Sequence, residues 1–305
     1  MHRVQSFDWL AAAHTPFSAD GELALNAIDA QAAHLAAQGL SGVFVCGTTG
    51  EGLALSVGER KLVAGRWAEV LKGSDLSLWV HVGANALPDV KELAADAARV
   101  GADAIALMPP CLYPPGSEEA LVEWCSAVAC EAGGLPLSFY ESPEMSGVQL
   151  DMERFIDLAR GAKIHFRGLK FTDSNLDLFR RLCANLSDGE GMWWGRDEEL
   201  RDGLAAGATG AIGSTYNFAA PLYSAVLEEP CGGDSGRAAS AQADAVKLVD
   251  AVAAYGYLPA AKAVMGMLGV PVGPARMPLG GLSEERVAAL RGDLEELGFF
   301  DWISS

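Results

Sequence analysis

Gly168-Leu169-Lys170-Phe171-Thr172-Asp173-Ser174-Asn175 reads as a short apolar strand that ends in a lysine and turns at once into a helix, with Asp173 or Ser174 as the N-cap. The same strand-to-helix unit recurs on either side. Apolar strands are expected near 8–13, 41–46, 77–82, 103–108, 135–140, 166–170, 191–194 and 209–213. Amphipathic helical patterns follow them near 24–38, 56–72, 87–100, 117–132, 150–160, 174–186, 197–205 and 218–228. Glycines mark the returns from helix to strand: Gly39 and Gly42, Gly101, Gly133 and Gly134, Gly207 and Gly210. Eight such units in about 220 residues predict an α/β fold closed into a (β/α)8 TIM barrel rather than an open doubly wound sheet. From about 235 the strand pattern stops, and helices are expected at 235–255, 259–268 and 283–297, broken by the loop Gly269–Leu279. The chain thus divides into a barrel over 1–230 and a helical appendix over 231–305 packed on it, with the boundary in the stretch Glu229–Gly236.

Half of the 305 residues are hydrophobic, and the formal charge is −18 with a pI near 4.6. That charge argues against nucleic acid and anionic membrane surfaces as partners. It leaves an acidic small molecule open, because local donors bind a carboxylate whatever the global sign. No run approaches ~18 apolar residues. Trp9-Leu10-Ala11-Ala12-Ala13 is too short for a signal sequence and leads into Thr15-Pro16. The six cysteines, Cys46, Cys111, Cys125, Cys130, Cys183 and Cys231, show no CxxC pair and no metal-ligand spacing with histidine. Several lie in apolar runs and read as small buried hydrophobes. The expectation is a soluble, reduced, cytoplasmic protein without a metal site. No GxGxxG, Walker loop or HExxH is present, so no cofactor is expected.

In such a barrel the reactive groups gather at the carboxyl ends of the strands. Lys170 ends the sixth. Burying an ammonium is costly; where the cost is accepted, an amine held neutral attacks a carbonyl and forms a Schiff base. The alternative is a lysine that snorkels out of the rim. After the second strand, Gly47-Thr48-Thr49-Gly50-Glu51-Gly52 collects backbone N–H groups and two hydroxyls in a small turn. It suits a carboxylate or phosphate oxygen, or else its threonines cap the next helix. After the fifth, Tyr140 either aims its hydroxyl into the mouth as a proton shuttle or packs in the core. Thr172 follows Lys170. Gly195-Arg196-Asp197-Glu198 follows the seventh strand, its carboxylates capping a helix or accepting hydrogen bonds from substrate hydroxyls. Gly213-Ser214-Thr215-Tyr216-Asn217 forms a further glycine–hydroxyl turn. One amine, one phenol, a carboxylate turn and several hydroxyl-binding groups at one mouth suit Schiff-base chemistry on a 2-oxo acid.

At these motifs the sequence resembles the family of pyruvate-dependent class I aldolases that contains dihydrodipicolinate synthase and N-acetylneuraminate lyase. The resemblance runs over nearly the whole chain. It is carried by Gly47-Thr48-Thr49-Gly50-Glu51 with Ser56 and Glu59-Arg60, by Tyr140 with Pro143 and Gly147, by Gly168-Leu169-Lys170 and by Pro271–Leu279. Within the family the lyase branch is favoured by Lys170-Phe171-Thr172-Asp173-Ser174, by Gly195-x-Asp197-Glu198 and by Gly210–Asn217. Synthases carry an arginine five residues after the tyrosine, where this chain has Met145. Aspartate semialdehyde is therefore not the expected partner.

The resemblance implies that Lys170 forms the imine, that Thr48 and Thr49 hold the pyruvoyl carboxylate, and that Tyr140 binds it and relays a proton. Thr172, Gly195, Asp197, Glu198 and Ser214 would bind the polyol. The implied reaction is reversible cleavage of N-acetylneuraminate to pyruvate and N-acetylmannosamine, by a homotetramer that needs no metal. Another pyruvate-dependent aldolase or dehydratase is the alternative, and a non-catalytic sensor of 2-oxo acids is a third reading. The chain departs from many members in the loop after the fourth strand, where Leu112, with Tyr113 one step on, stands in place of a tyrosine. Glu141 and Ser142 likewise replace an amide and an apolar residue.

Overall fold

The computed structural model describes residues 7–162 and 164–303; the outer ends of the expected barrel and appendix, 1–6 and 304–305, lie outside these. The apolar segments form β1 Asp8–Ala12, β2 Gly42–Val45, β3 Ser77–His81, β4 Ala104–Leu107, β5 Leu137–Glu141, β6 Phe166–Phe171, β7 Gly191–Trp194 and β8 Gly210–Gly213. They pair in parallel in chain order, and Asp8 opposite Gly210 closes the ring. The expected (β/α)8 barrel is the fold observed.

Alternation along each strand sorts side chains into two cores. Leu10, Ala12, Phe44, Trp79, Ala104, Ala106, Tyr140, Trp193 and Ile212 fill the barrel, with the Trp79 and Trp193 indoles meeting edge to face, 4.8 Å between centroids. Their neighbours in sequence, such as Trp9, Val43, Val80 and Ile105, face the helical layer instead. At the lower end Arg167 lies over the rings of Trp79 and Trp193, 4.7 and 5.6 Å from their centroids, and pairs with Asp8 at 2.9 Å.

One irregularity decides where the lysine points. Between β5 and β6 the register jumps from Leu137↔Phe166 to Ser138↔Gly168, so Arg167 is an extra residue, a bulge. Gly168 takes the turn with φ of 126°, and a Cβ there would collide with the Gly191 carbonyl. Beyond the bulge Leu169 and Phe171 face the outer core, and Lys170 stands inward opposite Tyr140.

The helix Val57–Val70 starts on a capping box in which Ser56 and Glu59 bond each other's backbone N–H, so Ser56 caps it and the threonines of the preceding turn do not. The helix Leu176–Ala184 is capped by Asn175, whose Oδ1 accepts from the Leu178 N–H at 3.0 Å; neither Asp173 nor Ser174 fills that place. Asp173 instead accepts from the Asn175 N–H, so the helix begins one residue later than Ser174 would place it. After β8 the helices Tyr216–Glu228, Ser235–Ala253, Tyr257–Met267 and Glu284–Leu297 pack on one another and on the barrel. The cysteines are less buried than expected: Cys46 and Cys125 are interior, whereas Cys111, Cys130 and Cys231 are exposed because they sit in a loop, at a helix end and in a short turn. Among the described residues no helix is long and apolar enough to cross a membrane.

Candidate active site

Lys170 comes up through the barrel on β6 and is only 5% exposed. Its Nζ lies 4.0 Å from the centroid of the Tyr140 ring and 4.6 Å from that of Phe44. Among the described residues it has no carboxylate partner and no hydrogen bond. The amine therefore ends in an aromatic box, between the faces of two rings and without an ion pair among the described residues. Phe44 also holds Tyr140 edge-on, 6.1 Å between centroids, and His81 does the same from β3 at 6.0 Å. Burial and the charges of Arg60 and Lys170 hold the His81 pKa well below its ordinary value, so its ring adds no positive charge to the box. The inward place of Phe44 could be read from alternation in β2. His81 was missed because its neighbours are contributed by three other strands.

The turn after β2 folds back on itself: the Glu51 N–H donates to Thr48 O and the Gly52 N–H to Gly47 O, both at 3.0 Å. The exposed Thr48 hydroxyl donates to the Met145 sulfur at 3.7 Å, so the turn touches the segment after Tyr140. Thr49 is half-buried and makes no hydrogen bond among the described residues. A cavity of about 510 Å3 opens at this face, lined among others by Thr48, His81, Met108, Met145 and Arg276; Lys170 and Tyr140 are not in its lining.

The residues expected to meet a polyol come from β6, β7 and β8. Thr172 and Gly195 touch, since a Cβ on Gly195 would collide with the Thr172 hydroxyl, and that hydroxyl is buried without a partner among the described residues. Asp197 is buried over Gly213; its Oδ2 accepts from the Thr215 N–H at 2.8 Å and hydroxyl at 2.6 Å, while Oδ1 has no partner among the described residues. Burial pushes its carboxyl up to about 6, against the pull of the Thr215 donors. Asp197 thus caps no helix of its own; it reaches across to β8 and leaves one oxygen for a further donor. Ser214 shares a hydrogen bond of 2.6 Å with the Tyr257 hydroxyl. Glu198 is drawn aside by Arg196 at 3.1 Å. The structure gathers Lys170 with Tyr140, and Thr172, Gly195, Asp197 and Ser214 along the neighbouring strand ends. Glu198 and Thr49 stand apart from both groups in hydrogen bonding. Tyr257 lies far along the chain from Ser214, and no motif announced it.

The model of the dihydrodipicolinate synthetase family matches residues 6–297. The N-acetylneuraminate lyase of Gallus gallus is 37% identical over 294 residues, 94% of this chain and 95% of that protein. Among solved structures, the Proteus mirabilis N-acetylneuraminate lyase superposes with a TM-score of 0.92 at 36% identity, over 97% of this chain and 99% of that one. An N-acetylneuraminate lyase from Aliivibrio salmonicida gives 0.92 at 34% identity, over 97% and 98%. The resemblance carried by the motifs therefore extends to the whole fold.

Proposed function

The chain belongs to the dihydrodipicolinate synthetase family, and from that premise we propose that it is a class I aldolase, a carbon–carbon lyase that reversibly cleaves N-acetylneuraminate to pyruvate and N-acetylmannosamine. The observation that carries the reading is the Lys170 amine 4.0 Å from the Tyr140 ring, without a carboxylate partner among the described residues. Relatives named for that activity at 35–37% identity over most of their length support the substrate.

Lys170 Nζ adds to the C2 carbonyl of the open-chain sugar acid, and Tyr140 gives its proton to the departing hydroxyl, which leaves as water, so that a protonated imine and a phenolate remain. Tyr140 takes the proton of the C4 hydroxyl; the C3–C4 electron pair moves into the imine, leaving an enamine and releasing the aldehyde. Tyr140 returns the proton to C3, and water hydrolyses the resulting imine to pyruvate. Thr48 and Thr49 hold the carboxylate. Thr172, Gly195, Asp197, Glu198 and Ser214 receive the polyol, with Asp197 Oδ1 and the Thr172 hydroxyl, neither hydrogen-bonded among the described residues, available to it. In this reading the protein is a homotetramer, in keeping with the exposed Leu112 and Tyr113, 69% and 78% accessible, in the loop after β4. Six unpaired cysteines fit a reducing cytoplasm.

The test supplies N-acetylneuraminate as the sole 2-oxo acid, adds borohydride and maps the adduct by mass. A pyruvyl-sized adduct on Lys170 supports both imine and substrate. A whole-sugar adduct means that the C3–C4 bond survives and points to a dehydratase. An adduct with pyruvate alone discards the sugar. No adduct with either discards the imine.

A further inference from the structure

The turn Gly47–Gly52 is held from behind by the C-terminal extension. Two non-glycine residues bracket it in the left-handed region, Cys46 with φ of 59° and Glu51 with φ of 54°. Side-chain-bearing residues leave that region unless surrounding contacts hold them there. Gly52 completes the constraint, since a Cβ there would collide with the Cys46 carbonyl.

The contacts that hold Glu51 come from far along the chain. Lys262, on the helix Tyr257–Met267, donates to Glu51 Oε1 at 2.7 Å, to Thr15 O at 2.8 Å and to Pro274 O at 2.8 Å. All three ammonium protons are thereby used, and the two side chains are 0% and 3% exposed. The second carboxylate oxygen accepts the Arg276 backbone N–H at 2.7 Å. The Arg276 guanidinium goes on to Glu59 at 2.6 Å, to Gly21 O and to Ala54 O. One buried pair thus ties the loop after β1, the turn after β2 and the segment 270–279 together. A buried ion pair seldom repays its desolvation in stability and is better suited to fixing one arrangement.

We propose that Glu51 and Lys262 are positioning residues that shape the Gly47–Gly52 turn for the carboxylate of the 2-oxo acid, so that the C-terminal extension sets affinity for that group. This rests on the aldolase reading given above. Neither residue contacts the reacting carbon; both act through the backbone of Thr48 and Thr49.

The experiment compares pyruvate with acetone, a methyl ketone that lacks the carboxylate, by borohydride trapping on Lys170 over a range of concentrations. The proteins are the native chain, Glu51→Gln, and the double variant Glu51→Gln/Lys262→Met. Glu51→Gln leaves Lys262 its two carbonyl acceptors, and the double variant removes both charges so that neither is left buried alone. Expected is a rise of about tenfold in the half-saturating pyruvate concentration in both variants, about 1.4 kcal/mol, with acetone trapping unchanged. Unchanged pyruvate dependence in a folded variant, or equal shifts for pyruvate and acetone, overturns the proposal and leaves the aldolase reading intact. Absence of any adduct in the native chain overturns both.

Discussion

Replacing Glu141 with glutamine is expected to raise stability at neutral pH. The side chain ends β5 and is buried, and its Oε2 has no partner among the described residues. Burial, with repulsion from Asp173, pushes its carboxyl from 4.5 up to about 8. The folded protein therefore keeps a proton that the unfolded chain surrenders once the pH passes 4.5. The stabilising contribution is complete below that point and is lost as pH rises toward 8. At ~1.4 kcal/mol per pH unit, the loss between pH 5 and pH 7 from this one group is ~3 kcal/mol. Glutamine has nearly the same volume and no proton to lose in that range. Urea titrations at fixed protein concentration, followed by the emission of the seven tryptophans, measure both proteins at the two pH values. The difference in their unfolding free energies should widen by ~3 kcal/mol as the pH rises. If the two proteins lose stability in parallel, the carboxyl ionises freely in the native state and the burial reasoning is refuted.

Lys170→Met should keep the native circular dichroism and give no borohydride adduct with pyruvate; an adduct of undiminished yield would place the imine elsewhere. Asp197 protonates near pH 6 in the folded protein. If its carboxylate accepts a sugar hydroxyl, kcat/KM for N-acetylneuraminate falls as pH drops below that value. Asp197→Asn should flatten this limb, lower kcat/KM by about thirtyfold, equivalent to one charged hydrogen bond of ~2 kcal/mol, and leave pyruvate trapping unchanged. Gly168→Ala forces a side chain into φ of 126° and against the Gly191 carbonyl. A loss of ~3 kcal/mol or more in urea unfolding is expected, and a variant as stable as the native protein would contradict the bulge as the device that aims Lys170.

The eight strands and the helices between them were legible because each repeats a local rule: a short apolar run, a capped helix, a glycine return. Their ends shifted by a few residues, and the cap of Leu176–Ala184 moved to Asn175, because several polar residues in a row can each accept the same N–H. Lys170, Tyr140 and the Gly-Thr-Thr-Gly turn were legible as candidates since polar groups at strand ends stand out against apolar strands. What surrounds them was not. The faces of Phe44 and Tyr140 over the amine, the reach of Asp197 to Thr215, the bond from Ser214 to Tyr257 and the Lys262–Glu51 pair join residues up to 211 positions apart. The exposed Cys130 and Cys231 belong with them, since a cysteine in or beside an apolar run lies inside only if its face of the element is covered. Sequence by itself determined the fold and the kinds of chemical group at the barrel mouth, because periodicity and residue type are local properties. Tertiary structure alone decided which groups meet, which carboxylates stay unpaired and which way Lys170 points. Burial, desolvation and the register of a closed sheet exist only once distant strands are brought side by side.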